Sequence, residues 1–287
     1  MSTVYLNGNY LAEEDASISV LDRGFIFGDG VYEVIPCYGG HLFRLEQHIQ
    51  RLQNSLDGIR LKNPLTNSQW QEIIEEVVRR NHDSADLSIY LQVTRGVAKR
   101  DHVFPDNVSP TVFIMSSTMP PVSDTKLAKG VVAITHDDIR WRYCHIKSIA
   151  LLPNTLMRQV AREAGADEAI LNRDGKITEG AASNIFIVKN NKIITPPKDE
   201  CLLPGITRDL ILEIAASAHL DYSEEDISLA QLRDADEIWL TSSTKEILPV
   251  TQLDDKPVGN GKPGVCWQDM LARYQEHKEL LRSGDAF

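Results

Sequence analysis

The lysine at position 147 and the glutamate at position 179 are the side chains of this 287-residue chain whose types and setting most suggest chemistry. Lys147 ends a strand-like run, 138–148, and Glu179 lies in a loop of small residues, 178–184. An amine can bond covalently to an aldehyde, and a carboxylate can keep a heteroaromatic nitrogen protonated. The pair predicts Schiff-base chemistry on an aldehyde cofactor, although either residue alone is more often an ordinary surface or turn residue.

Two segments and one arginine are candidates for binding a phosphate. The segment 203–209 opens a predicted helix, whose free backbone N–H groups and dipole favour an anion, and Thr207 adds a hydroxyl. Residues 241–244 form a second, hydroxyl-rich turn. Arg51 lies beside the apolar stripe of a predicted helix, and a guanidinium binds phosphate through paired hydrogen bonds. Taken singly, such features are usually helix caps, ordinary turns and solvated helix faces.

A polar loop after a predicted strand, residues 94–102, carries Arg100 and His102 two positions apart. Both side chains could converge on one carboxylate, with Tyr32 supplying a hydroxyl. On spacing alone, a solvated loop is the more common outcome.

Periodicity predicts the elements that must position these residues. An Asn-Gly pair predicts a hairpin within 4–10, and short or alternating apolar runs predict strands at 25–38, 41–43, 86–94, 110–117, 131–135, 168–171, 184–188 and 237–240. Apolar residues at helical spacing predict helices at 45–59, 70–78, 154–164 and 207–218, and a last helix that contains residues 270–281.

The order of these elements predicts an α+β protein of two mixed α/β domains. The N-terminal domain would cover residues 1–119, a proline-containing linker residues 120–130, and the C-terminal domain residues 131–287. We expect the active site in the cleft between the domains, because such clefts favour small ligands.

Composition argues against several classes of protein. The formal net charge of −11 disfavours a nucleic-acid partner, because binding a phosphate backbone requires a basic face. No apolar run approaches the roughly 20 residues of a membrane span, and the first residues lack the pattern of a signal peptide. The four cysteines match neither a metal-binding nor a redox spacing. We therefore expect a cytoplasmic protein with no metal site and no membrane partner.

Taken together, these motifs resemble those of the fold-type-IV pyridoxal-phosphate enzymes, and within that family the D-amino acid (D-alanine) aminotransferases. The resemblance covers nearly the whole chain, from Tyr5 to the last helix. Its most specific parts are the helix of Arg51 and the segments 22–34, 92–96, 138–148, 178–184, 203–209 and 241–246.

The resemblance implies a role for each matching position. Lys147 would bond to the aldehyde of pyridoxal 5′-phosphate and move a proton between the substrate and the cofactor, and Glu179 would pair with the pyridine nitrogen. The remaining contacts, to the phosphate and to the face of the ring, would come from Arg51, Ile206, Thr207, Ser243 and Leu203.

Arg100 and His102, with Tyr32, resemble the substrate-carboxylate trap of the D-specific branch, in which this loop is donated across a homodimer interface. Branched-chain aminotransferases of the same fold generally lack this pair. The resemblance therefore favours transamination of D-amino acids, with D-alanine and 2-oxoglutarate giving pyruvate and D-glutamate. Ala181 and Ala182 depart from that branch, which often has serines there, and two hydroxyls near the cofactor are thereby absent.

Three other functions stay open on the sequence alone. A branched-chain L-amino acid aminotransferase and an aminodeoxychorismate lyase would use the same Lys147 and Glu179 in the same fold. A non-catalytic small-molecule-binding protein would need neither residue, and the full set of lysine, carboxylate and phosphate-binding residues argues against it.

Overall fold

The computed structural model describes residues 2–82 and 85–284. They group into two compact units. Unit 1 holds the described residues up to Pro120, the segment Ile146–Leu151 and the residues from Lys278 onward, and unit 2 holds Pro121–His145 and Leu152–His277. Lys147 is therefore a residue of unit 1, and Glu179 is a residue of unit 2. The division into domains at residues 119 and 131 stays a prediction.

Unit 1 is built on an antiparallel sheet. Its strands are β1 (Thr3–Leu6), β2 (Asn9–Ala12), β3 (Gly30–Tyr38), β4 (His41–Leu42), β5 (Leu87–Thr94) and β6 (Thr111–Thr118), and its helices are α1 (Arg23–Phe27), α2 (Leu45–Gly58) and α3 (Asn67–Asn81). The order across the sheet is β2-β1-β6-β5-β3-β4. Sequential hairpins thus place β3 between β5 and the two-residue β4.

The helices α2 and α3 bury their apolar stripes against this sheet. Thr66 and Gln69 form a capping box that starts α3, and the fully buried Trp70 follows in its first turn. Burial alternates along β5, which puts Ile89 and Leu91 into the same core as Trp70. The core fixes the position of α2, which carries Arg51.

Unit 2 is built on a mixed sheet. Its strands are β7 (Val131–Asp137), β8 (Glu168–Arg173), β9 (Lys176–Gly180), β10 (Asn184–Lys189), β11 (Lys192–Thr195), β12 (Tyr222–Glu224), β13 (Glu237–Ser242), β14 (Glu246–Leu253) and β15 (Lys256–Pro257). The order is β12-β11-β10-β13-β14-β7-β8-β9, and β15 pairs with β14. The pairs β11–β12, β14–β7 and β7–β8 are parallel.

The helices of the C-terminal half are α4 (Asp124–Lys129), α5 (Leu152–Glu163), α6 (Ile206–Ser217), α7 (Leu229–Arg233) and α8 (Val265–Arg282). In unit 2, α5 packs Met157 and Ala161 against Ala169 and Leu171 of β8. Helix α6 is apolar on most sides and is accordingly buried along most of its length. The sheet thereby holds the start of α6 and the ends of β9 and β13 in fixed places.

Most predicted elements are confirmed, and three predictions were wrong. Residues 25–38 begin as the helix α1, because Asp22 caps its first turn and Gly28 ends it in a left-handed conformation. Glu179 lies in the strand β9, paired with β8, and not in a loop between β8 and β10. Lys147 lies in an irregular segment and not at the end of a strand.

Within the described residues, no helix is both long and apolar enough to cross a lipid bilayer. The same residues contain no group of His, Cys, Asp and Glu side chains arranged to hold a metal ion.

Candidate active site

Lys147 is held in unit 1 by its backbone. Its carbonyl accepts a hydrogen bond from the N–H of Tyr32 at 2.9 Å, and its N–H donates to Oγ of Ser55 on α2 at 3.1 Å. The N–H of Ile149 donates to the carbonyl of Gly30 at 3.1 Å. The side chain is half-buried, and its Nζ lies 4.2 Å from the centroid of the Tyr32 ring. The amine is thus presented from a fixed backbone beside an aromatic face.

Arg51 is buried on α2 and forms a two-point ion pair with Glu33 of β3. Its Nε and Nη2 donate to the two carboxylate oxygens, each at 2.8 Å. Glu33 also lies 2.8 Å from Nδ1 of the fully buried His48. Burial acts to raise the pKa of Glu33, but Arg51 and His48 outweigh it and hold that pKa far below 4.5. Glu33 is therefore an anion that fixes the plane of the Arg51 guanidinium.

His48 is neutral in this cluster. Burial lowers its pKa below the ordinary value of 6.5, and the charges of Arg51 and Lys147 act in the same direction. Its Nε2 is buried and has no hydrogen-bond partner in the described part of the chain. A buried ring nitrogen of this kind is one of the polar atoms that a bound ligand could satisfy.

The start of α6 suits an anion. Gly205 precedes the helix, no side chain caps it, and Ile206 and Thr207 are buried in the first turn. A Cβ at Gly205 would lie 1.9 Å from Oδ1 of Asn184, so only glycine allows this approach. Uncapped N–H groups at a helix start can bind a phosphate.

The β13–β14 turn offers hydroxyls. Thr241 is buried, and its Oγ1 has no hydrogen-bond partner among the described residues. Oγ of Ser242 accepts from the N–H of Lys245 at 3.2 Å, and Ser243 is half-buried in the turn. An unsatisfied buried hydroxyl fits a site that receives phosphate oxygens from a ligand.

Glu179 is buried at the end of β9 and is held on both oxygens. Its Oε1 is paired with Nη1 of Arg140, and its Oε2 accepts from the N–H of Leu203 at 3.1 Å. Asn184 donates Nδ2 to the same Oε2 at 3.3 Å and to the carbonyl of Leu203 at 2.8 Å. Burial raises the pKa of Glu179 above 4.5, against the opposing effect of Arg140.

Arg140 connects Glu179 to a second buried carboxylate. Its Nε and Nη2 donate to the two oxygens of Asp138, at 2.9 and 2.8 Å. Asp138 also lies 3.0 Å from Nη2 of Arg173 and accepts from Oγ1 of Thr178 at 3.0 Å. Two carboxylates and two guanidinium groups alternate in this cluster, so its formal charge is zero. Such a cluster can hold an oriented carboxylate for a cationic partner such as a protonated ring nitrogen.

The loop with Arg100 and His102 lies in unit 1, and both side chains are exposed. They meet at Phe27 of α1, whose ring centroid is 5.5 Å from the Arg100 guanidinium carbon and 5.5 Å from the His102 ring. Tyr32 makes other contacts, stacking on Tyr90 at 5.7 Å and lying beside Lys147. The structure thus brings together Arg100 with His102, and Tyr32 with Lys147.

Sequence reasoning missed several residues that surround the candidate side chains. These are Glu33, His48, Asp138, Arg140 and Asn184. All but His48 lie inside segments that the motif resemblance singled out, and a charged residue at a position expected to be buried was the available signal.

Comparison with known proteins finds relatives over nearly the full length. The family model described as amino-transferase class IV matches residues 30–253. A D-alanine aminotransferase of Bacillus licheniformis is 41% identical over 273 residues, which is 95% of each chain. One of Staphylococcus epidermidis is 36% identical over 278 residues, covering 96% of this chain and 98% of the relative.

Solved structures of similar shape include two branched-chain amino acid aminotransferases. That of Escherichia coli has a TM-score of 0.91 and 28% sequence identity, covering 96% of this chain and 94% of its own. That of T.th., solved with pyridoxamine 5′-phosphate, has a TM-score of 0.91 and 27% identity at the same coverage.

Proposed function

Because this chain belongs to the amino-transferase class IV family, we propose that it is a pyridoxal-phosphate-dependent aminotransferase of D-amino acids. D-alanine and 2-oxoglutarate would be converted to pyruvate and D-glutamate. The family and the fold-type-IV α+β architecture inferred from the motifs are confirmed. Support for the D-amino acid comes from relatives named D-alanine aminotransferase, whereas the similar structures above carry the branched-chain name.

The residues around Glu179 and Lys147 fit pyridoxal phosphate. The cofactor, when bound, supplies an electron sink for the charge that develops at the substrate Cα. Lys147 would hold its aldehyde carbon and carry a proton to and from Cα with its Nζ, a contribution of about 10²–10⁴-fold in rate. Glu179, fixed by Arg140 and Leu203, would hold a proton on the ring nitrogen.

The phosphate contacts are proposed at residues whose polar groups suit an anion. Arg51 would bind phosphate oxygens while Glu33 keeps its guanidinium oriented. The backbone of Ile206 and Thr207 and the hydroxyl of Ser243 would complete the site, and the unpartnered Oγ1 of Thr241 supports a ligand there. Leu203, half-buried beside Glu179, would pack on the face of the ring.

The substrate carboxylate would be bound by Arg100 and His102, with the hydroxyl of Tyr32 as a third contact. Binding the carboxylate at one fixed place leaves the hydrogen and the side chain of Cα to exchange positions between D and L substrates. The handedness of the reaction would therefore depend on these three residues.

The single observation that carries this proposal is the buried Glu179 carboxylate, held by Arg140 and by the N–H of Leu203. The test is to load the purified protein with pyridoxal phosphate and to follow its visible absorption after adding single amino acids. D-alanine should bleach the band of the loaded protein, and 2-oxoglutarate should restore it. The proposal fails if L-leucine bleaches the band and D-alanine does not, or if turnover needs no oxo acid, as in a lyase.

Two lysine variants separate covalent cofactor binding from general damage. Lys147→Ala should bind pyridoxal phosphate without the visible band, because the amine that bonds to the aldehyde is gone. Lys62→Ala, an exposed lysine of unit 1, is the matched control and should keep the band. A loaded Lys147→Ala protein with an unchanged spectrum would refute the assignment.

A homodimer is proposed from the exposed apolar surface of unit 1. Ile18, Val20 and Val103 are 50%, 71% and 73% exposed. Backbone contacts of Leu21 with Ala98 and of Asp22 with Val97 place the segments 18–22 and 97–103 side by side, so the residues form one patch. Sedimentation of the parent protein should give twice the chain mass, and Val20→Asp should shift it toward the monomer.

A cytoplasmic location is proposed because the described cysteines are all free thiols. Proteins of oxidising compartments more often carry disulfides. Fractionation of the source cells should recover the protein with cytoplasmic markers, and recovery from an oxidising compartment would contradict the proposal.

A further inference from the structure

The loop that carries Arg100 and His102 is attached to the rest of unit 1 by one buried arginine. Arg23 is 3% exposed, and its Nη1 donates to the carbonyl of Asp101 at 2.6 Å and to that of Val103 at 3.4 Å. These two carbonyls lie on either side of His102 in the chain. Arg23 thereby fixes the backbone from which the His102 ring projects.

Phe27, one turn further along α1, contacts the side chains of the same loop. The guanidinium carbon of Arg23 is 4.7 Å from its ring centroid, and that of Arg100 is 5.5 Å away. The His102 ring lies at 5.5 Å with an interplanar angle of 44°. Because cations and aromatic edges are attracted to a ring face, Phe27 favours one arrangement of Arg100 and His102.

Asp29 ties the two ends of this arrangement together. Its Oδ2 accepts from Nε of Arg23 and from Nε of Arg95, each at 2.8 Å. The Arg95 guanidinium in turn lies 3.7 Å over the ring of Phe104, which follows the loop. Gly96 opens the loop with φ +94°, and a Cβ there would lie 2.1 Å from the carbonyl oxygen of Ser109. The loop is exposed, yet both its start and its end are anchored to one carboxylate.

We propose that Arg23, Phe27 and Asp29 are positioning residues that set the spacing of Arg100 and His102, and with it the selectivity for a D-amino acid carboxylate. The inference rests on the proposed function, in which those two side chains bind the substrate carboxylate. It gives the glycine-rich motif 22–30 a task that the cofactor contacts leave unexplained. Holding a flexible arginine before the ligand arrives lowers the entropy lost on binding, so a released loop binds a carboxylate more weakly.

The test measures binding of propionate, a carboxylate without an amine, to the loaded enzyme. Arg23→Lys keeps the charge but loses the planar fork, and Phe27→Leu keeps an apolar side chain but loses the ring. Each should raise the dissociation constant of propionate by roughly 10- to 100-fold, the cost of a small misplacement. Affinity of the cofactor-free protein for pyridoxamine phosphate should stay at the parent value. Arg79→Lys, the same change on the exposed face of α3, is the matched control and should alter neither constant.

Kinetics give a second reading. KM for D-alanine should rise by the same factor with kcat nearly unchanged, and the preference for D- over L-alanine should fall. A merely structural role would instead lower the cofactor affinity and kcat together. Unchanged propionate binding in both variants overturns the inference.

Arg100→Ala distinguishes this failure from failure of the proposed function. If Arg100→Ala leaves propionate binding unchanged, the carboxylate assignment itself is wrong. If Arg100→Ala weakens it and Arg23→Lys does not, only the positioning role is wrong.

Discussion

Arg140→Met tests the charge balance around Glu179. The change removes the guanidinium that links the buried carboxylates of Asp138 and Glu179. Loss of one partner of a buried ion pair costs about 3–5 kcal/mol of the free energy of unfolding. Arg173 remains 3.0 Å from Asp138, and the Leu203 N–H still donates to Glu179. We therefore expect a loss at the lower end, about 3 kcal/mol at pH 7.

The loss should depend on pH. Burial raises the pKa of Glu179 above 4.5 even with Arg140 present, and removing Arg140 raises it further. The folded variant then holds the Glu179 proton more tightly than the unfolded chain does, so its stability falls as the pH rises from 4.5 through the raised pKa. The difference in unfolding free energy between the parent and Arg140→Met should be smallest near pH 4.5 and should grow above it.

Urea unfolding, followed by circular dichroism at several pH values, measures this difference. Arg79→Met is the matched control, because Arg79 pairs with Glu76 on the surface, and it should leave stability unchanged. Adding Glu179→Gln to Arg140→Met should restore part of the loss, since no uncompensated glutamate charge is then buried. Equal losses at pH 4.5 and pH 8, or a double variant no more stable than the single one, would refute the reasoning.

Three further outcomes are expected. Glu33→Gln leaves Arg51 buried without its anion and should cost about 3 kcal/mol at pH 7; because the pKa of Glu33 is depressed, the difference from the parent in urea titrations should shrink as the pH falls below 4.5, and a constant difference would contradict this. Gly205→Ala should displace Asn184 and weaken binding of pyridoxamine phosphate to the cofactor-free protein about tenfold, the equivalent of one charged hydrogen bond, as measured by fluorescence titration. Trp70→Ala should cost about 3–5 kcal/mol in thermal or urea unfolding, because the ring is fully buried in the core of unit 1; a loss under 1 kcal/mol would show a core able to collapse.

Long periodic elements could be predicted from the sequence. Helices α2 and α3 have apolar stripes, and the Thr66–Gln69 capping box marks where α3 begins. The five-residue α1 could not be recognised, because a helix that short has no usable period and is stabilised by the Asp22 cap. The strand position of Glu179 was missed because β9 pairs with β8 through an irregular register.

The candidate site was predictable as residue types but not as contacts. Motifs identified Lys147 and Glu179, yet nothing local shows that Arg140, 39 positions before Glu179, is its ion-pair partner. The attachment of Lys147 to Tyr32 likewise joins segments that are remote in sequence. Such pairings are decided by the sheet and the core, and a single sequence carries no direct record of them.

The backbone bonds of Lys147 have a consequence beyond the placement of an amine. On the side of β3 away from β5, β4 pairs only with Cys37 and Tyr38, and residues 147–149 cover the strand near Gly30 and Tyr32. Uncovered strand borders recruit other chains and promote aggregation. The segment that presents the reactive amine is thus also a guard against self-association, which leaves evolution little freedom to remodel its backbone even where the chemistry would tolerate the change.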